Sequence, residues 1–115
     1  MERYDIAVIG TGPAGVSAAI TAKVRGKKLI LFGSRHLSDK VEKAHSILNY
    51  PGLPNVSGAE LANAYRMQLD SLDIPITEKQ VTAVYAMGDY FAIQTPDDMV
   101  ESTAVILAAG VVTSK

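Results

Sequence analysis

Two short apolar runs, separated by a glycine-rich turn and an alanine-rich stretch, dominate the first third of the chain. Ile6-Ala7-Val8-Ile9 has no polar residue in alternation, and neither does Leu29-Ile30-Leu31-Phe32. Runs of four without alternation fit strands buried on both faces, as in a parallel sheet. Between them, residues 16–25 are rich in alanine and read as a helix, with Gly26 as its C-terminal stop. Pro13 costs little near the first helical turn, because its missing N–H would be unpaired there. Strand, glycine turn, helix and strand within about 30 residues make a βαβ unit.

Residues 34–56 are polar and punctuated by Asn49-Tyr50-Pro51-Gly52-Leu53-Pro54-Asn55. They predict a long ordered loop with a short helical turn near residues 41–44; loops of this length in compact domains are usually functional. Ser57-Gly58-Ala59-Glu60 is a capping box that opens a helix running to about Leu72. Leu61, Tyr65, Leu69 and Leu72 fall on one stripe of it, suited to lie against a sheet, and Asp73-Ile74-Pro75 ends it. The pattern then turns to β. Residues 81–87 and 90–95 flank Gly88-Asp89, a two-residue hairpin turn. After the turn Thr95-Pro96-Asp97-Asp98, residues 99–103 return as a third strand. Ala104-Val105-Ile106-Leu107-Ala108-Ala109 is a last apolar run, ending at Gly110, and predicts a buried central parallel strand. The sum is an α/β chain: a partial, Rossmann-like parallel sheet with an added antiparallel β-meander.

The chain has 115 residues, enough for one small domain, and a formal net charge of −1. No basic excess exists to neutralise phosphates, so a nucleic-acid partner is not expected. No run approaches the roughly 18 apolar residues of a membrane span. The N-terminus enters a strand pattern at once, which leaves no room for a signal peptide and makes the cytoplasm the expected location. There is no cysteine, so disulfide stapling, thiolate metal sites and cysteine redox chemistry are excluded on this chain itself. His36 and His45 have no cluster around them and read as surface polar residues. Met67, Met87 and Met99 read as packing, and Glu42-Lys43 and Glu78-Lys79 as solvated faces.

The glycine turn carries the chemistry. Gly10 permits the tight exit from the strand, Gly12 lets the backbone approach a pyrophosphate, and Gly15 lets the helix pack against the strands, with Pro13 and Ala14 between them. The helix start directs free N–H groups and about half a positive charge at the phosphates. The identity of the dinucleotide is less defined. Many such sites place Asp or Glu after the second strand to bond ribose hydroxyls, whereas this chain has Phe32-Gly33-Ser34-Arg35. That weakens NAD. Ser34-Arg35 could grip the 2′-phosphate of NADP, or do nothing specific. A remnant that keeps the fold, binds no cofactor and serves as an interaction module is a further reading.

The glycine turn with Pro-Ala inside it, Asn49-Tyr50-Pro51-Gly52, Ser57-Gly58-Ala59-Glu60-Leu61 and Val105-Ile106-Leu107-Ala108-Ala109-Gly110 occur in an order that resembles the low-molecular-weight thioredoxin reductases, over nearly the whole chain. The resemblance implies the first part of an FAD-binding domain. Residues 10–15 would hold the FAD pyrophosphate, and Gly33-Ser34 would lie near the adenosine ribose. Asn49 would approach the flavin, the backbone of Val81 would meet the adenine, and Ala109-Gly110 would lie against the cofactor. Ala109 stands where the family usually has Thr, which removes a hydroxyl. The Gly-Gly-Gln stretch of NADPH-dependent members is absent, with His36-Leu37-Ser38-Asp39-Lys40 in that region. This looks more like the ferredoxin-dependent flavin thioredoxin reductases. Tyr50 is suited either to stacking near a flavin or to loop packing. The implied partners of the intact enzyme are thioredoxin and either ferredoxin or NADPH, with a homodimer possible in such a family. The redox Cys-x-x-Cys domain and the C-terminal completing segment of the family do not occur in these residues. The expectation is therefore a fragment that does not reduce a disulfide alone.

Overall fold

The computed structural model describes residues 2–35, 52 and 55–108. Asn49, Tyr50, Ala109, Gly110 and the helical turn expected near residues 41–44 lie outside the described residues. The elements in chain order are β1 (Arg3–Ile9), α1 (Pro13–Val24), β2 (Leu29–Phe32), α2 (Gly58–Ser71), β3 (Ile76–Thr77), β4 (Ala83–Ala86), β5 (Phe91–Gln94) and β6 (Met99–Leu107). They form one sheet in the order β3-β2-β1-β6-β5-β4. β1 runs parallel to β2, from Ile6 opposite Leu29 to Ile9 opposite Phe32. It also runs parallel to β6, from Arg3 opposite Glu101 to Ile9 opposite Leu107. β3 extends the parallel part beside β2, while β5 is antiparallel to both β4 and β6. The expected α/β architecture, a parallel sheet with a β-meander, is what the chain adopts.

Each face of the sheet has its own apolar cluster. On one face, Val8 and Leu31 of the strands meet Val16 and Ala19 of α1 and Leu61, Tyr65 and Leu69 of α2. The predicted stripe of α2 is thus the buried one, and each fully buried leucine there stabilises the fold by roughly 1.5–3 kcal/mol. On the other face, Ala7 and Phe32 pack with Ile93 of β5, and Val81, Val100 and Val105 join them. The meander therefore folds over the parallel strands. Its hairpin turns at Gly88, which has φ +97°, and is closed by the Met87 N–H donating to the Tyr90 carbonyl at 2.9 Å. At the amino end of β1, the Arg3 guanidinium donates to Glu101 on β6 at 3.1 Å and lies 4.4 Å from the centre of the Tyr90 ring.

Several expectations need correction. Residues 99–103 and the apolar run after them are one continuous strand, β6. That run is also not buried throughout: Ile106 is 38% and Leu107 74% exposed. β5 pairs with β6 only as far as Ser102, and the helix-side cluster contains no β6 residue. Beyond Ser102 the only described strand paired with β6 is therefore β1. Met67 and Met87, expected as packing, are 64% and 50% exposed. Met67 lies off the Leu61–Tyr65–Leu69 stripe and Met87 at the hairpin turn. β3, a two-residue strand, was too short to leave a pattern.

The start of α2 is closed by its own side chains. The Glu60 N–H donates to Ser57 Oγ at 3.1 Å, and the Ser57 N–H donates to Glu60 Oε1 at 3.1 Å. The Ser57 hydroxyl first, and its backbone N–H second, hold the Glu60 carboxyl below its ordinary value of 4.5. A carboxyl lowered by folding contributes stability that is present above the unfolded value and is lost as pH falls through the folded one. Ser57→Ala should cost about 1 kcal/mol near neutral pH. In urea melts from pH 7 to pH 3, that penalty should shrink below about pH 4.5 as Glu60 takes up a proton.

Candidate functional site: a glycine turn at the carboxyl ends of the parallel strands

The turn from β1 into α1 lies at the carboxyl end of the central parallel strand, with β2 on one side of it and β6 on the other. Gly10 leaves the strand with φ +119°, a backbone that side chains other than glycine rarely adopt. Its N–H donates to the Phe32 carbonyl at 2.8 Å, which ties the exit to β2. Gly15 is buried in the first turn of α1. A Cβ there would come within 1.9 Å of the Gly10 carbonyl oxygen and 3.5 Å of the Ala108 Cβ. Gly15 is therefore required by the approach of α1 to its own strand. Ala108, held by its N–H to the Ile9 carbonyl at 2.8 Å, brings the chain just before Ala109-Gly110 beside this turn.

Gly12 differs from both. It is the N-cap of α1, with φ −73° and ψ −177°, which any residue adopts. A Cβ built on it meets nothing within 4 Å. Neither backbone conformation nor packing within the described residues calls for glycine here. What a Cβ at position 12 would occupy is the open space off the helix start, where a close-approaching group would have to sit. The helix end facing that space has no side-chain cap and no acidic residue in its first turn, in contrast to the fully capped α2. Pro13 has no N–H, the Val16 N–H is taken by the Gly12 carbonyl at 3.0 Å, and the amides of Ala14 and Gly15 lie between them. Pro13 and Ala14 are exposed. Residues 10–15 contain no titratable side chain, so the turn offers backbone donors and the helix dipole to an anion, and no acid–base chemistry.

The second loop at this edge follows β2. Gly33 donates its N–H to the Thr77 carbonyl at 3.1 Å. A Cβ on Gly33 would stand 2.4 Å from Thr11 Cγ2, so the absence of a side chain at this predicted site residue has a packing reason. Ser34 is tied to Thr11 through its backbone: its N–H donates to Thr11 Oγ1 at 3.1 Å, and the Thr11 hydroxyl donates to the Ser34 carbonyl at 2.9 Å. Thr11 was missed by sequence reasoning, because it occupies a variable position of the glycine pattern and carries no signal of its own. The Arg35 guanidinium lies 3.5 Å from Asp70 of α2, and the Arg35 carbonyl accepts from Arg66 at 2.8 Å. Val81 is half-buried against the Ala7–Phe32–Ile93 cluster, on the face opposite the helices. The structure thus brings residues 10–15, Gly33, Ser34 and Ala108 to one edge. Among the described residues no group of three side chains could hold a metal ion.

A glycine-lined bend between a parallel strand and an uncapped helix start, at the strand where the sheet order reverses, defines a dinucleotide-type βαβ unit. The family comparison agrees. The chain belongs to the pyridine nucleotide-disulphide oxidoreductases, whose family model matches residues 4–115, and within that family it is thioredoxin reductase-like. It is similar to a ferredoxin-flavin thioredoxin reductase from Clostridium acetobutylicum, with 52% identity and a TM-score of 0.95 over 100% of this chain and 40% of that one. It is also similar to a thioredoxin reductase from Lactococcus lactis, with 31% identity and a TM-score of 0.88 over 97% of this chain and 37% of that one. Among curated proteins, a ferredoxin--NADP reductase from Levilactobacillus brevis is 37% identical over 114 residues, which is 95% of this chain and 34% of that protein. The chain spans between about a third and two fifths of the length of these relatives. No described helix is long and apolar enough to cross a membrane.

The different reasons for Gly12 and Gly15 separate in two substitutions. Gly15→Ala should destabilise the fold by at least about 2 kcal/mol, because its Cβ meets backbone that cannot move aside. Gly12→Ala should leave the thermal midpoint within about 2 °C of the wild type while weakening whatever dinucleotide the chain binds. Paired thermal melts and ligand titrations of the two variants check both outcomes.

Proposed function

We propose that this chain is the FAD-binding portion of a thioredoxin-reductase-like flavoprotein oxidoreductase. The observation that carries the reading is Gly12, a glycine that neither the backbone nor the packing calls for, standing at the uncapped start of α1. In this reading the Ala14 and Gly15 amides receive the pyrophosphate, and Gly12 gives it room. Gly33-Ser34 border the adenosine ribose, the Val81 backbone lies toward the adenine, and Asn49 and Ala109-Gly110 reach the cofactor from outside the described residues. Bound there, FAD supplies the two-electron chemistry of its ring; the residues of this chain bind and orient it. In the intact oxidoreductase the electrons go on to a Cys pair on a separate domain and from there to thioredoxin.

The end of β2 favours FAD over NADP. A 2′-phosphate at Ser34-Arg35 would need donors, yet the Gly33 and Ser34 amides are taken by Thr77 and Thr11, and the Arg35 guanidinium is drawn toward Asp70. For the electron donor of the intact protein, the 52% identity to a ferredoxin-flavin thioredoxin reductase supports ferredoxin. A cytoplasmic setting fits such a donor.

Titrating the purified chain with FAD, followed by flavin fluorescence and visible circular dichroism, should show saturable binding that NADP at the same concentration does not displace. A folded chain that takes up no FAD, or that is stabilised by NADP in preference, contradicts the reading.

A further inference from the structure

Thr11 is the one side chain among the described residues that joins the two loops at the carboxyl edge of the sheet. It is 5% exposed, and its hydroxyl uses both its proton and its oxygen on a single residue, Ser34. The neighbouring Gly33 leaves only enough space for it, since any Cβ there would collide with Thr11 Cγ2 and, at 2.7 Å, with Oγ1. Thr11 stands between Gly10 and Gly12 in the bend, and Ser34 is two residues past β2. The Thr11 hydroxyl thus joins the glycine turn to the loop after β2, beside the backbone bond from Gly10 to Phe32. From this geometry we infer that Thr11 is a positioning residue for the dinucleotide: it fixes the Ser34 backbone against the glycine turn, so that the phosphate and ribose subsites are held in register before the ligand arrives. This role rests on FAD being the ligand.

The role has a specific physical consequence. Pre-organised loops spare the ligand the ordering of a flexible segment on binding. Removal of the hydroxyl leaves the Ser34 N–H and carbonyl without their Thr11 partner in a half-buried position, and they move to find others. Thr11→Val keeps the shape and removes the hydroxyl; Thr11→Ser keeps the hydroxyl and removes a methyl group. Wild type and both variants are to be compared by FAD titration well below their thermal midpoints, so that all are folded, and by hydrogen exchange at the Ser34 amide. Thr11→Val should weaken FAD binding about five- to thirty-fold, the loss expected for one or two hydrogen bonds, and should speed Ser34 amide exchange. Thr11→Ser should restore both to near the wild-type values. A Thr11→Val chain that binds FAD as tightly as wild type overturns the positioning role, even where its thermal midpoint falls, because a merely structural side chain lowers stability without changing the affinity of the folded protein. Slow Ser34 exchange in Thr11→Val overturns it as well. Absence of FAD binding in the wild type itself withdraws the cofactor reading, and the role of Thr11 in binding with it.

Discussion

The first turn of α1 sits so close to the end of β1 that only a hydrogen atom fits at residue 15, 1.9 Å being all that would separate a Cβ from the Gly10 carbonyl. Much else in the molecule follows from that approach. It brings α1 down on Val8 and lets Val16 and Ala19 enter the same cluster as Leu31 and the stripe of α2. It also fixes where the helix begins, and so where its unpaired amides point. Packing and the direction of the helix start are set by the same contact, and a change at Gly15 cannot alter one without the other.

The two described helices show how differently a start can be used. α2 begins with Ser57 and Glu60 each accepting the other's backbone N–H, and its end is chemically closed. α1 begins with a glycine that offers no side chain at all. An uncapped helix start at a domain surface leaves amide donors and a positive dipole end facing outward, and an anion is the partner best suited to them. Residues 10–15 carry no titratable side chain, so what the turn itself offers is backbone donors for binding. This is the division of labour expected where a cofactor carries the reaction.

Most of the architecture was legible from residue patterns because the decisive elements are local. Two unalternated apolar runs marked β1 and β2, the capping box marked the start of α2, and Gly88-Asp89 marked the hairpin. The signals failed where structure depends on distant neighbours. Residues 99–103 and 104–109 read as two strands because the composition changes from mixed to wholly apolar after Thr103. Yet Ser102 is fully buried, with its hydroxyl donating to the Ala104 carbonyl at 2.6 Å, and β6 runs through it. The apolar run after it read as buried because sequence cannot say how far a flanking strand extends; β5 pairs no further than Ser102. In the site, Gly12, Gly15 and Gly33 are the same letter with three different neighbours: open space, a carbonyl oxygen and a threonine methyl. Only the folded chain separates them, and Thr11 becomes visible there as the reason for Gly33.

The central claim is that the amides at the start of α1 receive a diphosphate. Backbone amide chemical shifts of the isotope-labelled chain, recorded with FAD and separately with riboflavin, which lacks the diphosphate, address it most directly. The account predicts that FAD shifts the Gly12, Ala14 and Gly15 resonances strongly and that riboflavin leaves them in place. Shifts confined to the meander or to the start of α2, or the same response to both ligands, would contradict it.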